Sequence, residues 1–146
     1  MDYFRKYPIQ KDRMIDSFLE MIAIDSVSGH EASYRDYLLA KFNELGFSGI
    51  EDDAGSRLNG DSGNLLFKLP GTINRSPLLL SAHMDTVVPG HGIQGELVQV
   101  DGHQIIRSAG ETILAGDDKA GVAALLEAIR VIIENGFDYP PLEILF

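Results

Sequence analysis

The chain has 146 residues, 45% of them hydrophobic, and its 22 acidic and 12 basic side chains give a formal net charge of −10. This length predicts one domain, and the composition predicts a folded, acidic protein of the cytoplasm. The negative charge argues against nucleic acid and anionic membrane surfaces as partners. The chain has no cysteine, so any metal must be held by His, Asp or Glu side chains.

The amino-terminal part of the sequence predicts two helices. Residues 1–8 contain no apolar stretch, so no secretory signal is expected, and no apolar run is long enough to cross a membrane. Apolar residues at helical spacing predict one helix over 12–24 and a second over 30–45. Gly46 is well placed to end the second helix.

The next segment predicts two strands separated by a loop. Residues 47–52 are typical of a short strand, and residues 53–63 are polar and glycine-rich, which favours a loop. Residues 64–69 predict a second strand, ended by Pro70. The run at 78–82 is continuously apolar, which predicts a strand buried on both faces of a covered parallel sheet.

The carboxyl-terminal part predicts a hairpin, a helix and a last strand. Asp101-Gly102 lies between two strand-like runs and favours a tight turn. A helix is expected over 118–135, ended by Gly136, and residues 142–146 predict another buried strand. The order of elements predicts an α/β fold: a three-layer sheet with helices on both faces and a β-hairpin inserted before the last helix.

Two polar side chains directly follow the apolar run at 78–82. Ligands of open α/β sheets sit beyond the carboxyl ends of the strands, which is where His83 and Asp85 fall. A histidine nitrogen suits zinc, and an aspartate two residues on is able to accept the other ring N–H and fix the orientation of the ring. The alternative is a hydrogen-bonded histidine beside a turn-forming aspartate.

A pair of aspartates, Asp117 and Asp118, stands at the start of the last helix. One of these aspartates could cap the helix, and the other could interact favourably with the helix dipole. This interpretation accounts for one carboxylate better than for two. Gly121 costs about 1 kcal/mol inside a helix, which predicts a close approach of this turn to the sheet and places Asp117 near His83. Lys119 either balances the local negative charge or is solvated. The other histidines are expected in loops or on the surface: His30, His91 and His103.

The segments at 81–87 (SAHMDTV) and 114–121 (LAGDDKAG) resemble the family of two-zinc aminopeptidases, carboxypeptidases and deacylases. The peptidase T (tripeptidase) branch looks most similar, with support from residues 26–31 and 101–119. The resemblance implies that His83 binds one zinc ion, that Asp85 is the acidic catalytic residue that orients it, and that Asp117 bridges two zinc ions. It also implies a cis peptide bond between Asp117 and Asp118.

The resemblance further implies that residues 1–146 are the amino-terminal portion of the catalytic domain. The two adjacent glutamates, the remaining ligands and the second domain, used for dimerisation and as a lid, would lie beyond Phe146. The chain is expected to form part of a zinc-dependent exopeptidase that hydrolyses short peptides with a metal-activated water. The chain alone is then expected to bind zinc weakly and to lack activity.

Two alternatives remain from the sequence. One is an N-acyl amino acid deacylase or carboxypeptidase on the same scaffold. The other is a non-catalytic truncated chain that associates with itself. A buried-type strand at 142–146 leaves an apolar sheet edge open to pairing, which predicts a homo-oligomer.

Overall fold

The computed structural model describes residues 8–146, so the predicted lack of a secretory signal falls largely outside the described residues. Apart from one short helix, the helices and strands follow one another in the order that the sequence predicts. The helices are α1 (Lys11–Ile22), α2 (Ala32–Glu44), α3 (Ala54–Leu58) and α4 (Gly116–Glu134). The strands are β1 (Gly49–Glu51), β2 (Leu65–Leu69), β3 (Leu78–Ser81), β4 (Gly95–Val100), β5 (His103–Ser108) and β6 (Leu142–Leu145).

Four of the strands form one sheet in the order β1-β2-β6-β3. Strand β6 pairs antiparallel with β2 and parallel with β3, so the expectation that the strand at 142–146 leaves an open sheet edge is wrong. The chain returns from β3 to β6 through α4, with the separate β4–β5 hairpin inserted before this helix. The predicted crossover and inserted hairpin are therefore confirmed.

The core lies between the helices and one face of this sheet. Alternate residues of the two central strands are buried on this face: Leu65, Phe67, Leu69, Leu142 and Ile144. Phe42 of α2 stacks on Phe67 with 4.2 Å between ring centroids. Helices α1 and α4 add the fully buried Ile22 and Leu126. Burying each such side chain contributes about 1.5–3 kcal/mol, which makes this face the main source of stability.

The opposite face of the sheet is largely open. Leu66 pairs with Ile50 and with Leu145, and both partners are exposed. Leu79 of β3 is 56% exposed, so the prediction that this strand is buried on both faces is wrong. The physical reason is that Leu79 lies on the open face together with Leu145, and that β3 is an edge strand among residues 8–146. The α/β class is confirmed, and within residues 8–146 the helical cover lies on one face.

Several local predictions are tested by the backbone. The hairpin turn is confirmed, because Asp101 and Gly102 both have positive φ (50° and 78°). The peptide bond between Asp117 and Asp118 is cis, as the resemblance implies. The loop predicted over 53–63 contains the short helix α3, which the polar composition had hidden. No helix in the described part of the chain is long and apolar enough to cross a membrane.

Candidate functional site

The first half of the candidate site is the segment that leaves β3. Its backbone is held by the turn that follows α1: the Thr86 N–H donates to Ser26 O at 2.8 Å, and the Ser28 N–H donates to Thr86 O at 3.2 Å. These two hydrogen bonds place residues 83–86 at the carboxyl end of β3, where ligands of such sheets bind.

The second half is the start of α4. Ala115 has left-handed backbone angles (φ 61°, ψ 29°), a conformation that costs a non-glycine residue about 1–2 kcal/mol. Asp117 and Asp118 have non-helical angles, so the regular helix follows them. The Asp117 side chain is 93% exposed and projects from the fold.

The two halves meet at His83. Its Nε2 atom lies 2.9 Å from Oδ1 of Asp117, a residue 34 positions away in the chain. Its Nδ1 atom lies 3.0 Å from the backbone oxygen of Asp85 and 3.0 Å from that residue's Oδ1. The structure therefore brings together all three residues that the sequence selected: His83, Asp85 and Asp117.

The electrostatics of His83 follow from these contacts. Burial lowers the pKa of His83, but the hydrogen bonds to Asp117 and to the Asp85 backbone, with the charges of both carboxylates, outweigh burial and raise the pKa. Both ring nitrogens face oxygen acceptors, which favours the doubly protonated imidazolium. Binding a metal through Nε2 therefore requires the loss of a proton from this ring.

Ser28 is a contributor that the sequence analysis missed. Its hydroxyl donates a hydrogen bond to Oδ2 of Asp85 at 2.5 Å. Ser28 thus holds the carboxylate that faces His83. The motif at 26–31 pointed to this segment, but the partner of a serine hydroxyl depends on how distant segments pack.

Lys119 is buried, so its predicted alternative as a solvated lysine is wrong. Its ammonium donates to the backbone oxygens of Met21 and Ile24 at the end of α1. The close-approach interpretation of Gly121 also needs correction. A Cβ at this position would collide with the carboxylate of Asp118 rather than with the sheet. The glycine therefore makes room for an aspartate of the site.

Two cavities border His83 and Asp85. The larger, about 810 Å³, extends from these residues and Asp118 to the loop around α3. The smaller, about 280 Å³, lies on the side of Asp117 and has apolar walls that include Val87 and Ile113. The two cavities therefore leave space on the side of Asp118 and on the side of Asp117.

The donor atoms of His83 and Asp117 are of types that bind zinc, but there are few of them. A histidine nitrogen and carboxylate oxygens are common zinc ligands, and two ligands of a tetrahedral ion at about 2.0–2.1 Å are roughly 3.3 Å apart. His83 Nε2 and Asp117 Oδ1, at 2.9 Å, need to separate by only a few tenths of an ångström. Among residues 8–146, however, no three His, Asp or Glu side chains are grouped so that they could together hold a metal ion.

The remaining histidines lie elsewhere, as predicted. His30 and His103 are exposed. His91 lies in an exposed loop with Nδ1 3.3 Å from Oδ2 of Asp25. The Gly92 N–H donates to the same carboxylate, and chiefly this bond lowers the pKa of Asp25.

Comparison with known proteins gives relatives in both sequence and fold. No protein-family model matches the chain. It is 38% identical over 135 residues to the uncharacterized protein YqjE of Bacillus subtilis, covering 92% of this chain and 35% of that protein. It is 30% identical over 105 residues to peptidase T of Vibrio parahaemolyticus, covering 51% of this chain and 26% of the relative.

Solved structures agree with these relatives. A tripeptidase of Staphylococcus aureus superposes with a TM-score of 0.87 at 38% identity, covering 94% of this chain and 36% of the tripeptidase. The aminopeptidase PepT of Bacillus cereus gives a TM-score of 0.85, also at 38% identity and with the same coverage. The chain thus spans about a third of the length of these relatives, and the resemblance to the tripeptidase branch is confirmed.

Proposed function

We propose that this chain, a member of the peptidase family that includes tripeptidases and peptidase T, supplies part of the metal site of a zinc-dependent exopeptidase acting on short peptides. The observation that carries the proposal is the 2.9 Å approach of His83 Nε2 to Asp117 Oδ1 at the carboxyl end of β3. The chain spans about a third of the length of its relatives, so the catalytic activity of a whole enzyme is itself proposed.

Each residue has a defined part in this proposal. His83 and Asp117 would hold the metal, and the second oxygen of Asp117 is free to reach a second ion. A bound zinc supplies an acidified water and polarises the scissile carbonyl. Asp85 accepts from the His83 ring and thereby fixes which nitrogen is offered to the metal. Ser28 in turn holds Asp85.

Zinc titration of the 146-residue chain, followed by calorimetry, tests the metal site. We expect weak binding, because His83 and Asp117 are fewer than the four ligands of a usual zinc site. His83→Ala and Asp117→Ala should each abolish the signal. His30→Ala is the matched control, since His30 is an exposed histidine with Asp61 3.6 Å away, and it should leave binding unchanged. Equal zinc binding by wild type and His83→Ala would contradict the proposed site.

The reaction class is tested on a polypeptide of the relatives' full length that contains this chain. Zinc-dependent release of the amino-terminal residue from tripeptides, lost in His83→Ala, is the expected result. The alternative is an N-acyl amino acid deacylase or carboxypeptidase on the same scaffold. Hydrolysis of N-acyl amino acids or removal of the carboxyl-terminal residue, with tripeptide amino termini left intact, would favour that alternative.

A second candidate is a non-catalytic chain that associates with itself, and the open sheet face favours it. Leu79, Leu145 and Ile50 are exposed on this face, and β3 has no neighbour on its outer edge within the described residues. A second copy that covered this face or extended this edge would bury these side chains. Light scattering should then show a dimer or larger species that Leu79→Lys dissociates. A monomer at all concentrations would count against self-association.

A further inference from the structure

Lys119 is a buried cation that the proposed chemistry does not use. The residue is 1% exposed. Its ammonium donates hydrogen bonds to Met21 O at 3.0 Å and to Ile24 O at 2.6 Å, and it lies 4.5 Å from the centroid of the Tyr34 ring. A buried ammonium is costly unless such partners compensate it. The two carbonyls and the aromatic face therefore define a built site for this one side chain.

The two carbonyls belong to the end of α1, and the chain that follows them supports the first half of the candidate site. Two residues after Ile24, Ser26 accepts the hydrogen bond from the Thr86 N–H. Ser28 then donates to the Asp85 carboxylate. The position of the α1 end thus determines where Asp85, and with it His83, is held.

The backbone of Lys119 belongs to the second half of the site. Lys119 directly follows Asp118 and is two residues from Asp117, in the first regular turn of α4. A single side chain therefore connects the turn that carries Asp117 to the segment that supports Asp85. The Asp117 side chain is itself almost fully exposed, so nothing packed around it fixes its place.

We propose that Lys119 is a positioning residue that sets the approach of Asp117 to His83 by tying the start of α4 to the end of α1. The inference rests on the proposed metal site for its relevance, while the positioning itself concerns contacts of the metal-free chain. Lys119 touches neither substrate nor metal in this account. It acts only through Asp117 and through the 24–28 segment.

The matched control is Glu127, a second buried charge on the same helix. It is 2% exposed and binds Arg13 and the Gln10 N–H of the α1 start rather than the α1 end. A merely structural role for Lys119 would make Lys119→Met and Glu127→Gln alike in their effect on the site. A positioning role makes them different.

The test uses the 146-residue chain and two readouts. The first is the imidazole ¹⁵N signal of His83 in the metal-free chain at one pH, measured by NMR. Lys119→Met should shift the His83 Nε2 signal, whereas Glu127→Gln should leave it unchanged. The second is zinc affinity by calorimetry, which Lys119→Met should lower about tenfold, the lower end of the range for residues that orient metal ligands, and Glu127→Gln by less than twofold.

The outcomes separate this inference from the proposed function. An unchanged His83 signal in Lys119→Met, or an equal shift in both variants, would overturn the positioning role. A wild-type chain that binds no zinc would contradict the proposed function, while the NMR comparison would still decide the role of Lys119. If Lys119→Met fails to fold, the exposed Ser28→Ala tests the same connection, and an unmoved His83 Nδ1 signal there would overturn the inference.

Discussion

Two buried charges on α4 hold α1 in place by different means. Glu127 accepts hydrogen bonds from Arg13 Nε at 2.8 Å, from Arg13 Nη2 at 3.0 Å and from the Gln10 N–H at 2.9 Å. Lys119 donates to two backbone oxygens at the other end of α1. One charge is thus neutralised by an opposite charge in direct contact. The other is compensated by carbonyl dipoles, an aromatic ring and the more distant charge of Asp25.

The difference separates stability from site geometry. The last carbonyls of a helix carry partial negative charge, so the end of α1 suits a cation and its start suits an anion. Glu127 lies eight residues beyond Lys119 on α4, or about 12 Å along the helix axis, away from Asp117. We therefore expect Glu127 to matter for the free energy of unfolding and Lys119 to matter chiefly for the candidate site.

The largest effect on stability should come from Glu127→Ala. The substitution leaves the Arg13 guanidinium without its buried partner, which typically costs 3–5 kcal/mol. Arg13 is partly exposed and keeps Glu134, so we expect the lower end, about 3 kcal/mol, in urea denaturation. The His83 NMR signals should not move. A large shift of these signals would break the distinction between the two charges.

Lys119→Met should change stability less, by about 1 kcal/mol. Two hydrogen bonds to carbonyls are lost, but the variant no longer buries an ammonium, and burial is what lowers the pKa of Lys119 to about 8. Chemical denaturation at pH 7 measures the difference. A loss as large as that of Glu127→Ala would make Lys119 a stabilising residue of the same kind.

Glu134→Gln replaces the second carboxylate partner of Arg13, which allows a comparison with the loss of Glu127. Arg13 Nη1 lies 2.5 Å from Glu134 Oε1, but the Glu134 side chain is 42% exposed. Exposed pairs contribute roughly 0.5 kcal/mol, so this variant should lose about a sixth of what Glu127→Ala loses. The same arginine thus compares an exposed carboxylate partner with a buried one that also accepts from the Gln10 N–H. Equal losses at Glu134 and Glu127 would contradict this scaling.

Asp25→Asn should have the smallest effect, and it should depend on pH. The Gly92 N–H chiefly lowers the pKa of Asp25, so the folded value lies below that of the unfolded chain. The charge therefore stabilises the fold above about pH 4, and this contribution is lost as pH falls through the folded pKa. Because the side chain is half exposed, the variant should be only a few tenths of a kcal/mol less stable at pH 7.

The comparison of urea denaturation at pH 7 and pH 3 checks this prediction. The difference between wild type and Asp25→Asn should be smaller at pH 3 than at pH 7. A difference that grows at acid pH has the wrong sign. Since asparagine retains an oxygen that can accept from Gly92, the variant isolates the charge of Asp25 from its hydrogen bond.

Local sequence signals determined most of the fold and the choice of site residues. Periodic apolar residues located the main helices and strands, and Asp101-Gly102 located the hairpin turn, because these patterns depend on neighbours in the chain. The motifs around His83 and Asp117 pointed to one site for the same reason. Helix α3 was missed because its apolar content is too low to show a period.

Only the tertiary structure decided which of these residues are buried and which ones meet. The apolar run of β3 looked like a central strand, but its exposure depends on the sheet order, which no local pattern encodes. The sequence left open whether Lys119 balances local charge or is solvated, since the carbonyls that receive it lie at the end of a helix 95 residues away in sequence. The sequence also placed Asp117 near His83, but for a reason that the structure corrects, because Gly121 makes room for Asp118 rather than for the sheet. Such contacts arise because packing joins distant segments, and only the folded chain brings them together.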